Sequence, residues 1–353
     1  MSSSPRASAR VVDIVWFMGA VLGAGARRFV ARLVRGPRRA AWSAKLEAFI
    51  AMQRASYSML PKLGIDRFHR VSQAVSPSST SGVACAPVAA DGVRGHWLTP
   101  ADHAKGPVVL YFHGGGYIFG SLRTHGPMIG ALARAAGLRT FALDYRLAPE
   151  HPKPAALEDA LAAYHWLIEQ QGVAPEQLVL AGDSAGGNLV LVTLLALRDA
   201  GAPLPAAGVA ISPWVDLENS GASFQTNAPY DFVTQEACNI AAAAYLAGAD
   251  PRAADASPLR AELSGLPPLL VHAGAAETLV DQIQEFCARA RAAGVDVTLS
   301  VYDDMVHVWH MLFSFLPAAN EALAEIGAYA RARTRHERGV RARADAADRS
   351  GAR

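Results

Sequence analysis

The sequence predicts an α/β protein: a mostly parallel central sheet flanked by helices, with a helical cap. Three observations carry this. After residue 83, short apolar runs of strand length alternate with longer runs at helical spacing, the pattern of βαβ units. The stretch Gly182-Asp183-Ser184-Ala185-Gly186 sits where a strand-like run ends and a helix-like run begins. Finally, 353 residues that are 51% hydrophobic and 18% charged can bury a sizeable core, as one large domain or two smaller ones.

In chain order, residues 1–60 read as a helical, basic segment with ten Lys/Arg against Asp13 and Glu47. Residues 14–26 form an apolar run of thirteen, too short to cross a bilayer. Arg6 and Arg10 before it, and Ala24-Gly25-Ala26 at its end, resemble a signal peptide. Asp13 beside the run counts against export, as do the following arginines and apolar residues, which alternate at helical spacing. An amphipathic helix lying on the protein or on a membrane surface is preferred.

Strands are expected at residues 92–98, 108–112, 140–144, 178–181, 208–212, 269–273 and 298–302. Helices are expected at 127–136, 155–169, 189–200, 280–293 and 319–332. Residues 61–330 are expected to form the main α/β body. Residues 213–263 interrupt its rhythm and read as a cap insertion over a site. The arginine-rich tail, residues 331–353, lacks an apolar stripe after its first turn and is expected to be disordered.

The net charge is only +2, which gives no reason to expect nucleic acid. The body is mildly acidic and both ends are basic. Cys85, Cys238 and Cys287 are too few and too scattered for a disulfide framework or a zinc site. Cys287 reads as an inert packing residue on a helix.

The glycines around Ser184 pose the chemical question. A G-x-S-x-G corner between strand and helix pushes the serine oxygen out above the sheet. The bland alternatives are a glycine-rich helix start or a phosphate cradle. A serine nucleophile needs a base, and the base an orienting acid, and in this sheet type both follow the serine along the chain. His272 lies inside a strand and reads as a core histidine, while His336 sits in the tail. His307 falls in the loop after the last strand and is the expected base; His310 reads as a residue of the helix face behind it. Glu277 leaves the strand 269–273 and is the first choice of acid. Asp281, one helical turn later, is the fallback, more at home as a helix-start residue. Gly114, Gly115 and Gly116 follow the strand 108–112 and, with the amide of Ala185, would supply donors to an oxyanion.

With these residues in place the chain resembles the hormone-sensitive-lipase-like family of α/β-hydrolases over roughly residues 108–309. The most specific segment is "DYRLAPEHPKPAALEDA" (144–160), in which relatives usually carry an aromatic where Lys153 stands; "GDSAGGN", "SPWVDL" and "MVHVW" also match. The resemblance implies the α/β-hydrolase fold and a serine carboxylester hydrolase. In it Ser184 attacks the ester, His307 acts as base then acid, and the glycine run with Ala185 holds the oxyanion. Most relatives place aspartate where Glu277 stands; some bacterial members use glutamate with the same x-L-x-D sequel. The N-terminal helices and the segment after "SPWVDL" would form the cap. Short- to medium-chain acyl esters are the expected substrates.

The alternatives are an amidase or deacetylase of a small natural product using the same triad, and a non-catalytic small-molecule receptor on the same fold. The receptor reading expects no histidine at position 307, and His307 is present. No metal or other cofactor is expected. The expected partners are a small-molecule ester and no nucleic acid, with the basic N-terminal helix the candidate for peripheral membrane contact and a homodimer a further candidate. A cytoplasmic location is expected, with export or membrane association the alternative.

Overall fold

The computed structural model describes residues 9–76 and 78–351. The chain opens with helices α1 (Val11–Arg35), α2 (Ala44–Tyr57), α3 (Leu60–Leu63) and α4 (Ile65–Val75). Strands β1 (Ala84–Ala90), β2 (Val93–Thr99) and β3 (Ala104–Phe112) follow, then α5 (Leu122–Ala136), β4 (Leu138–Leu143) and α6 (Ala155–Glu169). Next come β5 (Leu178–Asp183), α7 (Ala185–Asp199) and β6 (Ala207–Ile211), then the short α8 (Ser223–Thr226) and α9 (Gln235–Leu246). The chain continues through β7 (Leu269–Gly274), α10 (Val280–Ala292), β8 (Val297–Tyr302) and α11 (Pro317–Gly351).

The strands form one sheet in the order β1-β2-β4-β3-β5-β6-β7-β8. β1 and β2 are antiparallel to their neighbours, and β4 through β8 pair in parallel. Every residue of β5, β6 and β7 is buried, which is why their sequences are apolar, apart from Asp183 and His272, rather than alternating. β1 at the edge is almost wholly exposed, consists of small residues interrupted by Pro87, and was not expected from the sequence.

Two helices start earlier than their apolar pattern indicates. α5 begins at a capping box on Ser121, whose hydroxyl accepts from Arg123 N, and it carries Pro127 inside. α7 begins directly after Ser184. At the C-terminus the expectation of disorder is corrected: α11 continues through Gly351. Alanine, arginine and glutamate sustain a helix by intrinsic propensity without an apolar stripe.

The N-terminal helical segment also runs beyond residue 60, to Val75. It seats on residues 213–263 through aromatic pairs: Trp42, between α1 and α2, on Tyr230 at 6.1 Å, and from α2 Phe49 on Phe232 at 6.2 Å and Tyr57 on Phe232 at 5.6 Å. The two acids of residues 1–60 are buried and paired. Arg67 and Arg10 face Asp13, while Arg28, at 2.6 Å, and Arg32, at 3.1 Å, hold Glu47. Burial pushes the Glu47 carboxyl up, but the Arg38 amide and these guanidinium groups outweigh it and hold it below its ordinary value.

Candidate active site

Ser184 alone connects β5 to α7. Its backbone sits at φ 55° and ψ −118°, a conformation that costs a non-glycine residue energy and that the surroundings must enforce. They do so by crowding. A Cβ on Gly182 would lie 2.4 Å from Gly186 O, and one on Gly186 would lie 2.0 Å from Phe112 O. Glycine alone fits at both, so the spacing of the pentapeptide is the steric requirement of the corner.

Asp183, directly before the serine, is fully buried beneath the glycine loop. Tyr111 donates its hydroxyl to it at 2.7 Å, Gly114 its amide at 3.1 Å, and His125 Nε2 lies 3.4 Å away. Burial pushes this carboxyl up, but the His125 ring and the Tyr111 hydroxyl prevail and hold it below its ordinary value. The tether corrects one expectation: Gly114 is not an oxyanion donor, because its amide is spent on Asp183. The amides of Gly115 and Gly116 donate to no acceptor among the described residues. Their φ values of 115° and 61° turn the loop, and a Cβ on Gly115 would lie 2.2 Å from Phe119 O. Ala185 is the first residue of α7, where helix geometry leaves its amide without an intrahelical acceptor.

The loops after β7 and β8 pack on each other: Ala276 N donates to Met305 O at 2.9 Å. Glu277 and His307 lie on these loops, both buried, with Glu277 Oε2 3.4 Å from His307 Nδ1. That is an ion-pair distance, longer than a well-formed hydrogen bond, as is common before substrate tightens such a site. The elbow and the His307 loop meet at the end of β6. Ser184 N donates to Ile211 O at 2.8 Å, and Val308 N donates to Ser212 Oγ at 3.2 Å. Burial alone would depress the His307 imidazolium, but Glu277 and then Asp231 and Asp183 outweigh it, so its pKa stands above the ordinary value. Burial also pushes the Glu277 carboxyl up, partly offset by His307.

Asp281 is placed elsewhere. Its carboxylate accepts from the Ser223 hydroxyl and, at 3.0 Å, from Ser223 N, clamping α8 of the cap to the start of α10. The base loop does not reach it. His272 is fully buried in β7, with Nδ1 3.0 Å from His310 Nε2 and Nε2 3.3 Å from Glu325, the partnered core histidine expected. His310 lies where a helix was expected to begin. It sits in the 3₁₀ turn Trp309–Leu312, fully buried and stacked on His272.

One carboxylate had no signal in the sequence. Asp231 comes down from the cap, fully buried, and accepts from His307 N at 3.2 Å and Thr278 N at 2.9 Å. It ties the loop carrying Glu277 to the loop carrying His307. Burial holds its carboxyl above the ordinary range, against the pull of His307.

Above Ser184 lies a narrow pocket with about 420 Å³ of space between atoms, partly open to solvent. Its walls are Gly116, Ile118 and Phe119 of the glycine loop, Tyr57 and Leu60 of the N-terminal helices, Trp214, Val233 and Ala237 of the cap, Cys238, Ala241 and Leu279. No charged side chain lines it, which suits an uncharged acyl or alcohol group. No group of three or more His, Cys, Asp or Glu able to hold a metal is found among the described residues.

A family model for the α/β-hydrolase fold matches residues 109–311, more than half of the chain. An acetyl-hydrolase of Streptomyces hygroscopicus is 46% identical over 239 residues, covering 67% of this chain and 79% of its own length. An esterase/lipase structure from an uncultured bacterium superposes with a TM-score of 0.74 at 40% identity, over 79% of this chain and 98% of its own. An esterase structure from the bacterial hormone-sensitive lipase family does so with a TM-score of 0.72 at 41% identity, over 92% and 99%.

Proposed function

Because this chain belongs to the hormone-sensitive-lipase-like family of α/β-hydrolases and is a carboxylesterase-type hydrolase, we propose that it cleaves short-chain acyl esters through an acyl-enzyme on Ser184. The Ser184 oxygen attacks the ester carbonyl as His307 takes the hydroxyl proton. The negative charge on the tetrahedral oxygen meets the amides of Gly115, Gly116 and Ala185. Collapse breaks the ester C–O bond, and the departing alkoxide takes the proton from His307 and leaves as the alcohol. Water, deprotonated by the same ring, then attacks the acyl carbon; Ser184 leaves with the proton, and the carboxylic acid is released. Glu277 holds the ring in the required tautomer and balances the imidazolium charge that forms in each step.

The observation that carries this reading is the buried pair of Glu277 and His307, 3.4 Å apart, anchored to the same strand end as a serine on the floor of an apolar pocket. The short-chain preference is supported by the narrowness of that pocket and by the acetyl-hydrolase among the relatives. A series of p-nitrophenyl esters tests it. kcat/KM is expected to peak between acetate and hexanoate and to fall by about tenfold or more at decanoate, since methylenes that cannot enter the pocket contribute no transition-state binding. A maximum at decanoate or longer would overturn the chain-length assignment and leave the ester chemistry standing.

A further inference from the structure

The outer face of α1 is chemically at odds with the rest of the surface. Its inner face, Asp13, Phe17, Val21 and Gly25 at four-residue spacing, is buried against α2 and α4. On the opposite face Val15, Trp16, Phe29, Leu33 and Val34 stand exposed at 65%, 48%, 51%, 75% and 82%. Nine of the eleven exposed large hydrophobic residues among the described residues lie on this one helix. A contiguous apolar face of this size marks an interaction surface.

Charge identifies the occupant. Both acids of residues 1–60, Asp13 and Glu47, are buried and taken up by arginines, so they add nothing negative to the outer surface. Arg27 and Arg35 are exposed and pair with no acid among the described residues. Residues 61–330, by contrast, carry an excess of acids. An anionic surface is therefore attracted to α1 and repelled by the body, which sets the orientation as well as the contact.

A second copy fits less well. A two-fold contact through α1 would bring like-charged arginines together. A membrane span fits less well too. α1 is about 37 Å long, but Phe17 packs on Phe68 of α4 and Arg67 of α4 pairs with Asp13, so the helix lies along the helical layer.

We propose that α1 seats the protein on the surface of an anionic lipid bilayer, with its apolar face in the headgroup–acyl boundary and its arginines among the phosphates. The same helix is continuous with the pocket wall. Phe17 meets Phe68 at 6.2 Å, and Phe68 meets the pocket residue Phe119 at 5.2 Å. The bilayer would thus support the back of the helical layer that walls the pocket.

Co-sedimentation of the full chain with vesicles tests this. The protein is expected to bind equal mixtures of phosphatidylglycerol and phosphatidylcholine at least about tenfold more tightly than phosphatidylcholine alone, and salt should weaken that binding. The triple variant Trp16→Ser/Phe29→Ser/Leu33→Ser is expected to lose about tenfold or more in vesicle affinity while hydrolysing soluble p-nitrophenyl butyrate at the parent rate. Arg27→Glu/Arg35→Glu supplies a second arm that leaves the apolar face whole; it should lose the preference for phosphatidylglycerol. Failure of the parent to bind anionic vesicles would overturn the proposal, as would undiminished binding by the triple variant. A parent that is dimeric in solution and does not bind vesicles, with a monomeric triple variant, would assign the face to a second copy and overturn it equally.

Discussion

Ser184→Ala lowers kcat for p-nitrophenyl butyrate by roughly 10⁵–10⁶-fold, an effect of the size seen when a serine hydrolase loses its nucleophile. The protein should stay folded, with Tm unchanged or raised. The oxygen removed is not a structural hydrogen-bond donor among the described residues; the structural contacts of the residue run through its backbone. At φ 55°, alanine occupies the same strained corner at no greater cost than serine. Steady-state hydrolysis and a thermal melt measured on one preparation separate the two effects. A mutant with more than about a hundredth of parental kcat would place the nucleophile elsewhere.

The second large effect distinguishes three carboxylates, of which Glu277 and Asp231 are buried and Asp281 is half-buried. Glu277→Gln is expected to reduce kcat by roughly 10⁴-fold, because the amide no longer stabilises the imidazolium and can favour the wrong tautomer. Asp281→Asn should leave kcat within about threefold of the parent. It loosens the clamp on Ser223, for a stability loss of about 1 kcal/mol. Asp231→Asn takes away one of two N–H acceptors that join the loops of Glu277 and His307, at a cost of about 1–3 kcal/mol of stability.

Its pH signature is the more telling readout. The His307 pKa is raised by Glu277 and Asp231 among others, and the base must be neutral to act, so activity is lost as pH falls through that raised value. Removing the Asp231 charge lowers the pKa and moves the acid limb of kcat/KM to lower pH. Profiles of all three variants check the assignment. If Asp281→Asn is crippled and Glu277→Gln is not, the acid is Asp281.

Elements whose local chemistry agrees with their burial were legible in the sequence. The strands at the centre of the sheet are largely apolar because both faces are covered. Glu277 could be placed because it follows the buried strand β7, and His307 because it follows β8 at the sheet edge. β1 escaped because it is a short exposed edge of small residues broken by Pro87. Asp231 could not be read from the chain. It lies 47 residues from Thr278 and 76 from His307, in a segment without periodicity, and acts only once the cap has folded onto both loops. Gly114 shows a subtler limit: a run of glycines announces free amides, but not that a buried carboxylate beneath will claim the first of them.

The most direct measurement is covalent trapping. The parent protein is treated with a p-nitrophenyl alkylphosphonate, and the adduct is located by mass spectrometry of its peptides. One phosphonyl group per chain is expected, on the peptide containing Ser184, with loss of activity in proportion to labelling and no labelling of Ser184→Ala. Inactivation that leaves Ser184 unmodified, or an adduct on another residue, would contradict the account.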